Sequence, residues 1–423
     1  MEIEFSKASF KDFENIPGMN AWERAVYFQQ YLDYLDKHDR LNYRLVSVSG
    51  CGPEMDIITK EDPKPRTCIS FVSNDYLGFT QHPAVKAAIM ESIQKMGAGA
   101  GASPAIGGQF SFHEELEKKI ASFFNRSSAI IYTTGYTANS ASLMCLLQKE
   151  DIAIVDMAVH ASVYEGCQLS NLKVFLHNRL DILEKILQDS KDKYRTKMVI
   201  VDGVYSQDGD MAPLLDILQL CRHYGANLAV DDAHGVGVIG ETGRGAMEKY
   251  KVLEQVDLIT GTFSKTFANV GGYVIASPEL INFLKYQSRQ HLFSATSTPA
   301  AAGILKAIDL LDEEPQWQSK LWENISYFRN GLSSLGFDTG ITESAIIPVK
   351  TGDAAIAAAM AKILLKAGIY TNPIIYPAVS KKNARIRMSV MATHTIDQLD
   401  QALNAFEYAG KHLNIPNKQT APV

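Results

Sequence analysis

Two short segments hold the residue types best suited to chemistry: Asp231-Asp232-Ala233-His234 and Thr262-Phe263-Ser264-Lys265. Asp231 and Lys265 stand 34 residues apart, and each follows an apolar run, Ala226–Val230 before the aspartate and Val256–Gly261 before the lysine. Short apolar runs bounded by turn residues read as buried strands. A carboxylate at one strand end and a lysine just past the next can face a single planar cofactor. Pyridoxal phosphate needs that pair. The amine takes its aldehyde covalently, and the acid keeps the pyridine nitrogen protonated so that the ring accepts electrons.

Other residues fit the same ring. A buried aspartate without a partner is costly, so Asp231 implies a bound cation. Its neighbour Asp232 points the other way and reads as structural. His234 stands within reach of a ring hydroxyl, although a lone histidine there reads equally well as a core residue. Thr262 and Ser264 offer hydroxyls to a phosphate. Gly135-Tyr136-Thr137-Ala138-Asn139 joins a strand to a helix, whose N-terminal N–H groups suit an anion. His160 also follows a strand and could stack on the ring; otherwise it is only the start of a helix. Arg387 would hold a substrate carboxylate bidentately, but Arg385 shares its face by alternation, and the pattern does not choose between them. Gly240–Gly245 lacks the helix and distant acid of a dinucleotide loop and reads as a turn. Gly97–Ala102 permits close backbone approach, either beside a substrate channel or as a plain connector.

These residues need a frame. With 423 residues, the chain has room for one large domain and smaller ones. From Cys68 onward strands alternate with helices: strands at Ile69–Val72, Ala129–Tyr132, Ile152–Val155, Lys173–Phe175, Met198–Val201, Leu228–Val230 and Gly271–Ala276, with helices between them. That pattern predicts an α/β fold with a mainly parallel, doubly covered sheet. The expected boundaries are an N-terminal helical arm over 1–66, with a helix at Trp22–Leu35 and a loop over Gly50–Pro65, a large domain over 67–297, and a smaller α+β domain over 298–423. The net charge of −6 leaves no footprint for nucleic acid. No run of about 18 apolar residues exists, so no membrane span is expected; peripheral contact with a membrane surface stays open. The acidic start Met1–Phe5 has no signal pattern, and five scattered cysteines fit reduced thiols, pointing to the cytoplasm and to no metal site.

Taken together, Ser73–Gly78, Thr134-Gly135-Tyr136, His160-Ala161-Ser162, Asp202–Asp210, Asp231–Gly235 and Gly261–Lys265 resemble the α-oxoamine synthases, fold-type I pyridoxal phosphate enzymes that join an amino acid to an acyl thioester. The likeness runs from about Phe71 to about Ala409. It implies a large domain built on a seven-stranded sheet. It implies that Lys265 carries the cofactor, Asp231 meets the pyridine nitrogen and His160 stacks on the ring. Ser206 and His234 would lie near the ring hydroxyl, and Gly135, Tyr136, Thr262 and Ser264 would hold the phosphate. Asn74 and Arg387 would take the substrate carboxylate. It further implies a homodimer, with Ser294 and Thr296 in the segment lent by the neighbouring subunit.

Within that family, Thr342–Pro348, Asn372–Val379 and Met391–Thr395 look most like bacterial serine palmitoyltransferase. The expectation is decarboxylative condensation of serine or cysteate with a long-chain CoA or carrier-protein thioester. The alternatives are 8-amino-7-oxononanoate synthase or 2-amino-3-ketobutyrate CoA ligase activity, and beyond them an aminotransferase. One departure stands out: the glycine-rich segment usually ends in serine–arginine and here reads Ser103-Pro104. Lys381 and Lys382 near Arg387 would suit an extra anionic group such as a sulfonate.

Overall fold

The computed structural model describes residues 3–38, 40, 44–59, 63–295 and 298–415. Seven strands form the central sheet: β1 (Ala129–Tyr132), β2 (Ile152–Asp156), β3 (Asn171–Phe175), β4 (Lys197–Asp202), β5 (Asn227–Asp231), β6 (Leu258–Thr262) and β7 (Gly272–Ile275). Their spatial order is β1-β7-β6-β5-β4-β2-β3. All pairings from β6 to β3 are parallel, and β7 alone runs antiparallel to both of its neighbours. β1, β2 and β7 are buried along their whole length and β5 along all but its first residue. That is why they read as apolar runs rather than alternating ones.

The strand expected at Ile69–Val72 spans Arg66–Ser70 and lies outside this sheet. It pairs antiparallel with Glu54–Ile58 and parallel with Ile369–Tyr370. Glu54–Ile58 falls inside the stretch read as loop. The strand is half exposed and sits between glycine and proline, so little apolar pattern marks it. A third sheet, with Ala384–Ser389 between Ile346–Gly352 and Asn372–Ile374, is antiparallel throughout. It meets the segment after Arg66–Ser70 directly. The Ser389 N–H donates to the Phe71 carbonyl at 2.8 Å, and the Phe71 ring stacks between Phe328 at 4.9 Å and His394 at 4.7 Å. This seam brings Asn74 and Arg387 together.

Residues 3–38 fold around their own aromatic core of Phe13, Ile16, Tyr31 and Leu35, distinct from the main one. Asn20 caps the helix Ala21–Lys37 by accepting from the Trp22 and Glu23 N–H groups.

Candidate active site

The site lies at the carboxyl ends of β2, β4, β5 and β6, where a doubly wound sheet leaves a crevice. Asp231 ends β5. Its side chain is nearly buried and accepts from the Asn139 amide at 2.6 Å and the Ala233 N–H at 3.0 Å, both uncharged. The aspartate therefore has partners, contrary to the sequence expectation, but its partners leave the negative charge for a cation to balance. Asp202 ends β4 and is the register partner of Asp231. Burial first, and Asp231 second, push the Asp202 carboxyl well above the usual range.

Lys265 follows β6 by three residues. Burial lowers its amine to about 8, and the Arg387 charge works in the same direction against the pull of Asp231. His234 is buried, 2.6 Å from the Tyr76 hydroxyl through Nδ1. Burial, then the Lys265 and Arg387 charges, hold it well below the usual histidine range, so its ring is neutral. His160 caps the short helix Ala161–Gly166 and meets the Tyr136 ring edge-on at 5.8 Å.

A second cluster offers groups suited to an anion. Gly135 opens the helix Gly135–Leu146, capped by Thr134. A Cβ at Gly135 would come within 2.5 Å of Thr262, so glycine lets the helix start sit directly against β6. There the Thr262 and Ser264 hydroxyls lie 2.8 Å apart. Ser294 accepts from the Gln290 amide at 3.2 Å, and the same amide reaches Thr133 at 2.8 Å. Thr296 lies outside the described residues.

The third cluster is cationic. Arg387 donates to the Ser206 carbonyl at 2.7 Å, the Ser389 hydroxyl at 3.0 Å and Asn74 at 3.1 Å. Arg385 is spent on Asp208 and the Gln207 carbonyl, which leaves Arg387 as the arginine beside Asn74. Lys381 and Lys382 are exposed, and Lys381 sits over the Tyr376 ring at 5.5 Å rather than beside Arg387. Asp232 is structural as expected: it accepts from the Ala246 N–H at 2.7 Å. Gly203, Gly235 and Gly245 crowd it so closely that a Cβ on them would lie 2.3, 2.0 and 1.9 Å from its carboxylate oxygens.

A buried aspartate, a lysine with a lowered amine pKa, and a helix N-terminus flanked by hydroxyls match the ring nitrogen, aldehyde and phosphate of pyridoxal phosphate. Asn139, Ser162, Tyr76 and Asp202 complete this arrangement without having been singled out from sequence. Tyr76 and His234 are 158 positions apart, and only the fold joins them.

Residues 66–406 match the family model described as "Aminotransferase class I and II". The 8-amino-7-oxononanoate synthase of Thermoanaerobacter pseudethanolicus is 43% identical over 88% of this chain and 94% of its own length. The 8-amino-7-oxononanoate synthase 1 of Bacillus subtilis is 41% identical over 82% and 89%. Among solved structures, the Sphingomonas wittichii serine palmitoyltransferase superposes with a TM-score of 0.88 at 32% identity, covering 94% of this chain and all of its own. A variant serine palmitoyltransferase from S. paucimobilis with a bound pyridoxal phosphate–myriocin aldimine reaches 0.88 at 30%, again over 94% of this chain and all of its own. This fold, site and kinship place the chain in the aminotransferase class I and II family, as a fold-type I, pyridoxal phosphate-dependent acyltransferase of the α-oxoamine synthase group.

Proposed function

We propose that this enzyme has 8-amino-7-oxononanoate synthase activity, joining alanine to a seven-carbon acyl thioester that ends in a carboxylate. The product's name dictates that pair: carbons 8 and 9 and the amine come from alanine after its carboxyl leaves, and carbons 1 to 7 from the acyl group. One observation carries the reading. Relatives bearing that name are 38–43% identical over more than four fifths of the chain. They favour the alternative raised from sequence over condensation with serine or cysteate. That second reading keeps one specific support, the fit of the whole fold to serine palmitoyltransferases at TM-scores of 0.88.

Bound pyridoxal phosphate supplies the electron sink that lets the amino acid's α-carbon lose a proton and act as a nucleophile. The chain's residues do the rest. Lys265 would hold the cofactor and, once freed from it, would take the α-proton and return one. Asp231 would keep the pyridine nitrogen charged, and His160 would lie against the ring. His234 and Ser206 stand beside the ring hydroxyl. Gly135, Tyr136, Thr262 and Ser264 would hold the phosphate, with Ser294 and Thr296 contributed from the partner in a homodimer. Arg387 and Asn74 grip the amino acid's carboxylate. A carbon–carbon bond forms to the thioester carbonyl, the carbon–sulfur bond breaks, the thiol leaves with a proton, and carbon dioxide departs from the β-keto acid.

The test is thiol release by cofactor-loaded protein, with alanine, serine, cysteate or glycine against pimeloyl-CoA and palmitoyl-CoA. Release is expected with alanine and pimeloyl-CoA, and not from Lys265→Ala. Release only with palmitoyl-CoA and serine or cysteate would move the assignment to the second reading. A keto acid formed without thiol would mean transamination.

A further inference from the structure

Hydrogen bonds beneath the site run in one direction. The Thr260 hydroxyl donates to Asn139 Oδ1 at 2.5 Å. The Asn139 amide then uses both of its hydrogens, one toward Asp231 Oδ2 at 2.6 Å and one toward Ser162 Oγ at 3.0 Å. Ser162 Oγ lies 2.7 Å from His160 Nδ1. The Ser162 backbone N–H also points at Nδ1, at 3.3 Å, and an N–H can only donate. Thr260, Asn139 and Ser162 are all buried, so the protein itself must satisfy these groups. With Ser162 Oγ receiving from Asn139, its own hydrogen goes to Nδ1. That nitrogen accepts twice, and a neutral imidazole has only one N–H. Burial, with the Lys265 charge adding to it, outweighs the pull of Asp231 and holds His160 below the usual histidine range, which keeps the ring neutral.

We infer that Asn139 and Ser162 are positioning residues, one amide holding the Asp231 carboxylate and, through Ser162, fixing His160 as the Nε2–H tautomer. His160 then meets the reactants as a hydrogen-bond donor, suited to a carbonyl or carboxylate oxygen and unable to serve as a base through Nε2. This rests on the reading of His160 as the residue against the cofactor ring.

The experiment is long-range proton–nitrogen correlation spectroscopy of the holoenzyme labelled with [15N]histidine, with His160 assigned by difference against His160→Asn. In the wild type, Nδ1 should show the shift of an unprotonated nitrogen and Nε2 that of a protonated one. Asn139→Asp is nearly isosteric and turns the Ser162 hydroxyl toward the new carboxylate, so His160 should move toward Nδ1–H. Ser162→Ala leaves only the backbone donor and should give signals averaged between tautomers. Loss of one such hydrogen bond should cost on the order of 10-fold, in kcat more than in KM for the amino acid. A wild-type ring with a protonated Nδ1, or variants whose His160 signals do not move, would overturn the inference. The wild-type spectrum decides even if a variant fails to fold. The same tautomer without any cofactor absorbance band would sink the functional reading and leave this one standing.

Discussion

Lys265 shows what a reactive amine does to the protein that houses it. Its pKa falls from 10.5 to about 8 in the folded chain, with burial the main cause. Between those values the unfolded chain binds more protons than the folded one, so cofactor-free stability should rise with pH from about 8 to 10.5. Lys265→Met should therefore stabilise the cofactor-free protein near pH 7. The gain is at most about 3 kcal/mol, because part of the side chain still opens to the cleft. It should vanish above pH 10.5. Urea titrations of both proteins across that range would check this, and a methionine variant less stable at neutral pH would refute it. Lys265, Asp231, His160 and His234 were legible in the sequence because each follows an apolar strand, and parallel strands deliver their C-terminal residues to one edge. Asn139 and Ser162 were not, because their value lies in meeting each other across 23 positions inside the core. Residue pattern alone did not separate Arg387 from Arg385, because the loop that Arg385 binds lies 177 positions away.

At the scale of elements, the loop from Val204 to Met211 carries Ser206, and His177 pins it. The ring bridges Asp156 at the end of β2, at 2.9 Å, and Asp210, at 2.8 Å. Burial alone would lower its pKa, but the two carboxylates outweigh burial and push it up to about 10. A pKa raised from the ordinary 6.5 gives stability that is complete below pH 6.5 and is lost as pH rises through 10. His177→Gln strands a fully buried aspartate and should cost about 3 kcal/mol at pH 6. The penalty should shrink above pH 10. Denaturant midpoints at the two pH values would show it, and equal penalties at both would mean the ring works by shape rather than charge. The strands of the central sheet were readable as apolar runs. The half-exposed Glu54–Ile58 was not, since a strand with one solvated face between turn residues carries too little pattern.

At the scale of the whole molecule, the described residues hold two separate cores, and the smaller one belongs to residues 3–38. Tyr31 stacks on Phe13 at 4.7 Å and donates to the Ala8 carbonyl at 2.6 Å. Tyr31→Ala should cost about 3 kcal/mol locally. Limited trypsin digestion should then cut the N-terminal arm faster and leave the rest resistant; simultaneous loss of both would show one cooperative unit. The three glycines around Asp232 constrain how this chain can change over time. Each is barred from any larger residue while the carboxylate is present, yet removing the carboxylate first leaves the Ala246 N–H without its acceptor inside the core. Every single-step route out of the arrangement therefore begins with a defect. These four positions should pass down lineages as one block, free to diverge only together.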